Sequence, residues 1–401
     1  MNRKQHTPEG VRDIYGRECK EKLQIQERLL ENLHAYGYQD IQPPTYEYMD
    51  VFHEEVGTTS GQELHKFIDR EGNILALRPD MTPSIARVVA THFAEEEVPV
   101  RLCYLGNTFI NHLSYQGRLK ENTQLGAELI GDASFTADAE MIAMVGSGLQ
   151  KVGLQEFQIS IGHVDFIQSL LHSTGLEKEV LLEIRQLIGN RNFFGVAEVL
   201  RKYHVTDQIR EAFAGLSELT GGVEILERAY SLAPTVQAQE AVERLRKIYE
   251  VLTQYDVQRF ITFDLSMSGT YGYYSGIIFR AYTYGTGDAI VRGGRYDQLL
   301  EKFGKKLPSI GFAIYINELL SALHGQKIHV RIPSVILLVY VAEDLPKAIA
   351  LATEMRSKGE AVQLLEQKAG MKREVFEAYG KRVYAKEIIY LKQRSSHHTR
   401  S

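Results

Sequence analysis

The feature of this sequence that most constrains its fold is a pair of strand-like segments joined by a polar loop. The segments are VPVRLCYLGNTFI at residues 98–110 and TQLGAELIG at residues 123–131, and they are predicted to form adjacent strands. Such a stretch lines a binding site in some proteins and is an ordinary surface hairpin in others. The first half of the loop is short of charge, with Ile110 and Leu113 where a loop that handles phosphate carries arginines.

The rest of the chain alternates between strand, hairpin and helix patterns. FIDREGNILALRPD at 67–80 predicts a hairpin, and TPSIARVVATHF at 82–93 predicts a helix that Thr82 could cap, with Pro83 at its first position. Amphipathic, charged helices follow from about 166 to 250, and strands alternate with helices after about 327. The predicted division is a core in two parts (residues 1–165 and 251–326), a helical insertion between them (166–250) and a small C-terminal α/β domain (327–401).

Composition excludes several classes of protein. The chain has 401 residues, enough for two or three domains, and a formal net charge of -5, whereas a chain that mainly grips an RNA backbone carries a basic balance. Its two cysteines, Cys19 and Cys103, cannot form a disulfide scaffold or a zinc cluster, so we expect no metal and no cofactor. The sequence contains no signal peptide and no apolar run long enough for a membrane span, and a cytoplasmic protein is predicted.

Two short stretches have the composition of a binding site. Asp80 and Thr82 present a carboxylate and a hydroxyl between a strand and a helix; these groups suit an ammonium ligand, although either could simply cap the helix. Gln124 and Glu128 are four residues apart, so on a strand they share a face and point into one pocket. A solvated strand face produces the same pair.

Two further stretches lie later in the chain. Tyr273 and Tyr274 are adjacent, and because neighbouring residues on a strand face opposite ways, one of them is predicted to be a packing residue. The pair Gly293-Gly294 lets a backbone or a ligand approach closely, and the following Arg295 and Asp297 could pair with each other. The sequence contains no GxxxxGK[ST] loop, GxGxxG fingerprint or HExxH motif.

Taken in order, these stretches resemble histidyl-tRNA synthetase, a class II synthetase, over roughly residues 7–325. The motifs that carry the resemblance are TPEGVRDIYG, YGYQDIQPPTYEYMDVF, LRPDMTP, YLGNTFINHLSYQGRLKENTQLGAELIG, YYSGIIF, GGRYDQLLEKFG and PSIGFAIYINELL. The resemblance implies an α+β fold with an antiparallel sheet flanked by helices, and it implies that the second of these motifs forms a dimer interface.

The resemblance also implies a histidine-binding site. Transferred by motif, Asp80 and Thr82 receive the α-amino group of the ligand with help from Gln124, while Glu128 and a tyrosine of the pair Tyr273 and Tyr274 bracket the imidazole. An imidazole can donate to a carboxylate on one side and bond a phenol on the other.

The chain departs from the synthetase where adenylation needs cations to neutralise a triphosphate. The arginines of the second motif fall on Ile110 and Leu113, and its glutamate falls on His112. In the later histidine motif the arginine falls near Gly269 and the aspartate on Gly272, and the third-motif arginine falls on Glu318. These replacements predict a protein without synthetase activity. Because Ile110 takes the place of an arginine, the ligand's carboxylate also loses a partner.

A synthetase-like core without activation chemistry is similar to the regulatory subunit of ATP phosphoribosyltransferase, and LALRPDMTPSIARVVA and QLGAELIG in particular resemble that family. The resemblance implies a subunit with no catalytic residues that takes part in feedback regulation by histidine, and a homodimer that assembles with a separate short catalytic subunit. tRNA binding is not expected, since residues 327–401 are fewer than an anticodon-binding domain has. The alternatives are a divergent histidyl-tRNA synthetase and a stand-alone histidine-binding protein. Whether histidine binds in the synthetase-like pocket or at a subunit interface stays open.

Overall fold

A computed structural model describes residues 3–52, 59–93, 95–112, 119–267 and 273–391. Within these ranges the chain forms two compact units, one made of residues up to Arg12 and Ile25–His329, the other of Asp13–Gln24 and the residues from Val330 onward. The division into four segments that the sequence predicts stays a prediction. None of the helices in these ranges combines the length and the apolar character that crossing a bilayer requires.

Strands and helices are numbered separately in chain order. The strands are β1 (Gln39–Asp40), β2 (Tyr46–Tyr48), β3 (Lys66–Ile68), β4 (Ile74–Leu77), β5 (Val100–Phe109), β6 (Glu121–Ile130), β7 (Phe157–His163), β8 (Thr220–Gly221), β9 (Ile261–Asp264), β10 (Ile277–Thr283), β11 (Val291–Arg295), β12 (Ser309–Tyr315), β13 (Val335–Tyr340), β14 (Val362–Glu366) and β15 (Ala385–Tyr390). The helices are α1 (Gly16–Ala35), α2 (Thr82–His92), α3 (Phe135–Lys151), α4 (Val164–Ser173), α5 (Lys178–Gly189), α6 (Phe193–Lys202), α7 (Asp207–Gly215), α8 (Ile225–Leu232), α9 (Val236–Gln254), α10 (Ile316–Gly325), α11 (Leu345–Ser357) and α12 (Arg373–Val383).

The first unit is built on a nine-stranded sheet with the order β1-β5-β6-β12-β11-β10-β7-β9-β8. The two strands on either side of the polar loop, β5 and β6, pair antiparallel as neighbours, with Val100 opposite Ile130 and Phe109 opposite Glu121. The expectation of an antiparallel sheet needs one correction, because β1 pairs with β5 and β7 pairs with β9 in parallel. Parallel neighbours need a long crossover connection, usually a helical one, and β7 is connected to β9 through the helices α4–α9 and the short strand β8.

A second, three-stranded sheet of the first unit contains the predicted hairpin. Strand β4 pairs antiparallel with both β2 and β3. The turn between β3 and β4 is held by Asp69, whose carboxylate accepts hydrogen bonds from the backbone N–H groups of Glu71 and Asn73, an arrangement typical of aspartate in turns. Strand β4 ends just before α2, and the junction places Asp80 and Thr82 over a face of the large sheet, where Thr82 contacts Glu128 of β6.

The second unit contains a small parallel sheet in the order β14-β13-β15. Helices α11 and α12 connect its strands in sequence, and its apolar core includes Ile336, Leu338, Ala348 and Ala352. The alternation of strand and helix in this part of the sequence thus corresponds to wholly parallel pairing.

Candidate functional site

One face of the nine-stranded sheet carries a small cavity over strands β11 and β12. Four of the six residues that the sequence assigns to a histidine site line it, namely Asp80, Thr82, Tyr273 and Tyr274. Its volume is about 20 Å³, room for about one water molecule. An amino acid therefore enters only when the lining side chains move apart.

Asp80 and Thr82 lie at the junction of β4 and α2, and both are buried. The carboxylate of Asp80 accepts a hydrogen bond from the backbone N–H of Met81 at 2.8 Å, and the Tyr273 hydroxyl lies 3.5 Å from its other oxygen. Thr82 does not cap the helix as predicted: Met81 occupies the N-cap position and makes no side-chain cap. The Thr82 hydroxyl instead donates to Glu128 across the sheet face, at 2.7 Å.

Glu128 lies behind the cavity with 1% of its surface exposed. One carboxyl oxygen accepts from Thr82 and the other from the Tyr296 hydroxyl, at 2.5 Å. Burial raises the pKa of Glu128 to about 8, although these two hydrogen bonds act to lower it. Gly311 opposite Glu128 makes room for the carboxyl group, since a Cβ there would lie 1.5 Å from Oε2. The carboxyl group is thus largely protonated at neutral pH and held in place.

Gln124 shares the face of β6 with Glu128, as the four-residue spacing predicts. The register places it opposite Tyr315, which lines the cavity. The interpretation of the pair as a solvated strand face is wrong, since both side chains are buried. Among the described residues the Oε1 atom of Gln124 has no hydrogen-bond partner, so a buried acceptor without a partner lies on the same sheet face as Tyr315.

The expectation for the tyrosine pair is corrected in part. Tyr273 and Tyr274 precede β10 and do not lie on a regular strand, so the alternation rule does not separate them and both line the cavity. Their ring centroids are 4.9 Å apart. Both tyrosines also pack against apolar core clusters, so the prediction that only one of them is a packing residue is wrong.

Arg295 lies on β11 and supports the site from beneath. It pairs with Asp297 at 3.2 Å, as the sequence suggests, but its stronger partner is the fully buried Asp138 of α3, at 2.5 Å. The other carboxylate oxygen of Asp138 pairs with Arg244 of α9, also at 2.5 Å. This network anchors the strand that carries Gly293-Gly294 to two helices.

The positions that would carry adenylation cations are only partly within the described residues. The backbone N–H of Ile110 donates to Lys120, and Nδ1 of His112 lies 3.8 Å from a carboxylate oxygen of Glu63. Glu318 is half-buried on α10, and burial raises its pKa. Leu113, Gly269 and Gly272 lie outside the described residues.

The match to known proteins covers nearly the whole chain. The family profile described as Histidyl-tRNA synthetase matches residues 10–319. An ATP phosphoribosyltransferase regulatory subunit of Acetivibrio thermocellus is 38% identical over 90% of this chain and 86% of its own length. The protein of the same name from Desulforamulus reducens is 39% identical over 87% of each chain. The chain belongs to the family of ATP phosphoribosyltransferase regulatory subunits.

A solved structure of this family supports the assignment and the predicted fold. The crystal structure titled as an ATP phosphoribosyltransferase regulatory subunit/histidyl-tRNA synthetase from Bacillus halodurans is 32% identical and superposes with a TM-score of 0.86, covering 96% of this chain and 97% of the other. The histidyl-tRNA synthetase of Nostoc sp. PCC 7120, at 20% identity, shares the fold with a TM-score of 0.80 over 94% of this chain and 89% of its own. The predicted class II synthetase-like fold is thereby confirmed.

Three further side chains of the candidate site were not predicted from the sequence. Tyr296, Arg292 and Tyr315 also line the cavity. Tyr296 and Arg292 fall within the stretch VRGGRYD, whose pattern drew attention to Arg295 and Asp297 instead. Alternate residues of a strand lie on the same face, so Arg292 shares a face of β11 with Gly294. This placement can be inferred from the sequence only when residues 291–295 are assigned to a strand.

Proposed function

We propose that this chain is the noncatalytic regulatory subunit of an ATP phosphoribosyltransferase. In this role it is required for the activity of a separate short catalytic subunit in the first step of histidine biosynthesis, and it takes part in feedback regulation by histidine. The observation that carries the proposal is the agreement of relatives under one name, at 34–39% identity over most of the chain.

The noncatalytic role is supported by the side chains at the positions where a synthetase neutralises the triphosphate of ATP. Ile110, Leu113 and Glu318 stand where the resemblance places arginines. Loss of one preorganised group that stabilises developing charge typically reduces a rate by about 100- to 1000-fold. Three such replacements, one of them reversed in charge, leave no basis for amino-acid activation.

Histidine is the proposed regulatory ligand, and the cavity on the sheet face is its proposed site. Asp80 and Thr82, which line the cavity, offer acceptors for the α-ammonium group, and Gln124 is proposed to assist with its buried amide oxygen. Glu128 and a tyrosine of the pair Tyr273 and Tyr274 bracket the imidazole. A carboxyl group with a pKa of about 8 can ionise when an imidazolium approaches, because a nearby positive charge stabilises the carboxylate.

Homodimerisation is proposed through the outer face of the three-stranded sheet. The register places Tyr46, Tyr48 and Phe67 on one face, and 53%, 59% and 40% of their surfaces are exposed. The rings of Tyr46 and Phe67 make an edge-to-face contact with centroids 5.4 Å apart. Contiguous exposed aromatic side chains are typical of protein interfaces. This sheet includes part of the motif for which the resemblance implies dimer contacts.

Replacement of Tyr48 by lysine is expected to weaken the homodimer, since it places a charge in the centre of an apolar interface. Sedimentation velocity should show the dissociation constant rising by about 30-fold or more, the effect of losing an interface residue worth about 2 kcal/mol. The control is Tyr284→Lys, which changes a tyrosine that is 73% exposed outside this sheet. An unchanged dimer in Tyr48→Lys, or equal weakening in both variants, would place the interface elsewhere.

A direct test of the proposed partner is co-elution. A short-form catalytic subunit of ATP phosphoribosyltransferase mixed with this chain is expected to elute from a gel-filtration column as a complex larger than either component. Separate elution at micromolar concentrations of both chains contradicts the proposal. Histidine-dependent exchange of pyrophosphate into ATP by the chain alone would support a divergent histidyl-tRNA synthetase instead.

A further inference from the structure

Two arginines lie directly opposite each other on the sheet face that carries the cavity. In the pairing of β10 with β11, Arg280 is the partner of Arg292. In the next pairing, Arg292 is opposite Ala313, which lines the cavity. Residues directly opposite in antiparallel strands project from the same face. Arg280 and Arg292 therefore lie side by side on the face above which the ligand is proposed to bind.

The pair lies at the boundary between two cavities. Arg292 lines the small cavity together with Asp80 and Thr82. Arg280 lines a larger, open groove of about 1130 Å³ over strands β10, β7 and β9. Polar side chains line this groove, among them Gln158, Ser160, Thr262 and the ion pair of Arg191 with Asp264. Arg292 therefore faces the small cavity, and Arg280, its neighbour across the strand pair, faces the groove beside it.

The local charges favour an anion at this point. Like charges placed directly opposite on a sheet destabilise it, and an anion between them relieves the repulsion. Part of this charge is compensated within the chain, since Asp288 accepts from Nη2 of Arg292 at 2.6 Å and Glu318 lies near enough to interact electrostatically with Arg292. The guanidinium lies 5.7 Å from the ring centroid of Tyr315, and this contact fixes its plane beside the cavity. A planar guanidinium carries five N–H groups and can bind two carboxylates at once.

We infer that Arg292, with Arg280 beside it, forms an oxyanion site that takes the α-carboxylate of the amino acid. The inference rests on the proposed histidine site. This oxyanion site supplies the partner that the α-carboxylate loses because Ile110 stands in place of an arginine. Asp80 receives the ammonium group and Arg292 the carboxylate, so the two charges of the zwitterion meet opposite charges from different elements. The site thereby selects a free amino acid over an amine that lacks the carboxylate.

The test compares histidine with histamine, which has the same ring and amine but no carboxylate. Isothermal titration calorimetry should show that Arg292→Met weakens histidine binding by about 10- to 100-fold, the range for a charge-assisted hydrogen-bonded pair. Histamine affinity should change less than about 3-fold. Arg292→Lys should recover part of the loss, and Arg280→Met should weaken histidine binding by a smaller factor. Arg201→Met, on the exposed surface of α6, is the control and should bind both compounds as the wild type does.

The outcomes separate this inference from the proposed function. If the wild type binds histidine and Arg292→Met binds it equally well, the oxyanion assignment is wrong while the histidine site stands. If Arg292→Met loses histidine and histamine alike, Arg292 maintains the shape of the pocket and the assignment is again wrong. A wild type that binds no histidine overturns both. In that case binding of inorganic phosphate or pyrophosphate that Arg292→Met abolishes would identify the anion as a phosphate and not as a carboxylate.

Discussion

Replacement of Arg295 by methionine is expected to lower the free energy of unfolding by roughly 3 to 5 kcal/mol, the range for removing one partner of a buried ion pair. Arg295 is 3% exposed and Asp138 is fully buried. The variant leaves the Asp138 carboxylate with Arg244 as its remaining charged partner. Burial already raises the pKa of Asp138 although both arginines lower it, so loss of one cation makes its ionised form more costly. The backbone carbonyl of Asp132 also loses the guanidinium that donates to it at 2.9 Å.

Urea unfolding followed by circular dichroism measures this change as a shift of the midpoint. The matched control is Arg228→Met. This arginine pairs with Glu218 at 2.7 Å, but both side chains are more than half exposed, and such pairs contribute less than about 1 kcal/mol. If Arg295→Met is no less stable than Arg228→Met, the buried network does not hold β11 in place.

The stability contributed by Glu128 is expected to fall as pH rises. The pKa of this carboxyl group is about 8 in the folded chain, against an ordinary value of 4.5, so between these pH values the folded state binds one more proton than the unfolded state. A raised pKa gives stability that is fully present below pH 4.5 and is lost as pH rises through 8. The loss is on the order of 5 kcal/mol, because one pKa unit corresponds to about 1.4 kcal/mol.

Comparison with Glu128→Gln isolates this contribution. Glutamine has nearly the same shape and does not titrate, so other titrating groups cancel in the difference between the two proteins. His163 is such a group: burial lowers its pKa to about 3, which gives the opposite slope at lower pH. The wild type should lose stability relative to Glu128→Gln from pH 5 to pH 8. A difference that does not change with pH would mean that Glu128 is ionised in the folded chain.

Much of the fold could be predicted from local sequence patterns. The hairpin of β3 and β4, the pairing of β5 with β6 and the helices between β7 and β9 follow from periodicity and turn residues. The parallel pairings of β1 with β5 and of β7 with β9 could not be predicted, because they depend on long connections whose return path is set by packing. Likewise, Met81 and not Thr82 takes the N-cap position, since Glu128, 46 residues away in sequence, offers the Thr82 hydroxyl a buried partner.

In the candidate site, too, local sequence motifs identify some residues, whereas the roles of others depend on contacts between distant parts of the chain. The motif positions Asp80, Thr82, Tyr273 and Tyr274 come together around one cavity, with Glu128 hydrogen-bonded behind it. Arg292 and Tyr296 could not be assigned from sequence alone. Their roles arise from the register that sets β11 beside β12 and from the burial of Glu128, which makes the Tyr296 hydroxyl its partner. Periodicity fixes the face on which a side chain lies, but not which chemical group lies opposite.

The most direct test of the regulatory role is phosphoribosyl transfer from phosphoribosyl pyrophosphate to ATP by a short-form catalytic subunit. The rate is measured with the catalytic subunit alone, after addition of this chain, and after addition of both this chain and histidine. We predict a low rate for the catalytic subunit alone and a rate at least about 10-fold higher with this chain, which corresponds to a gain of about 1.4 kcal/mol in transition-state stabilisation. We also predict that histidine inhibits only the complex. A rate that is unchanged by this chain would contradict its assignment as a regulatory subunit.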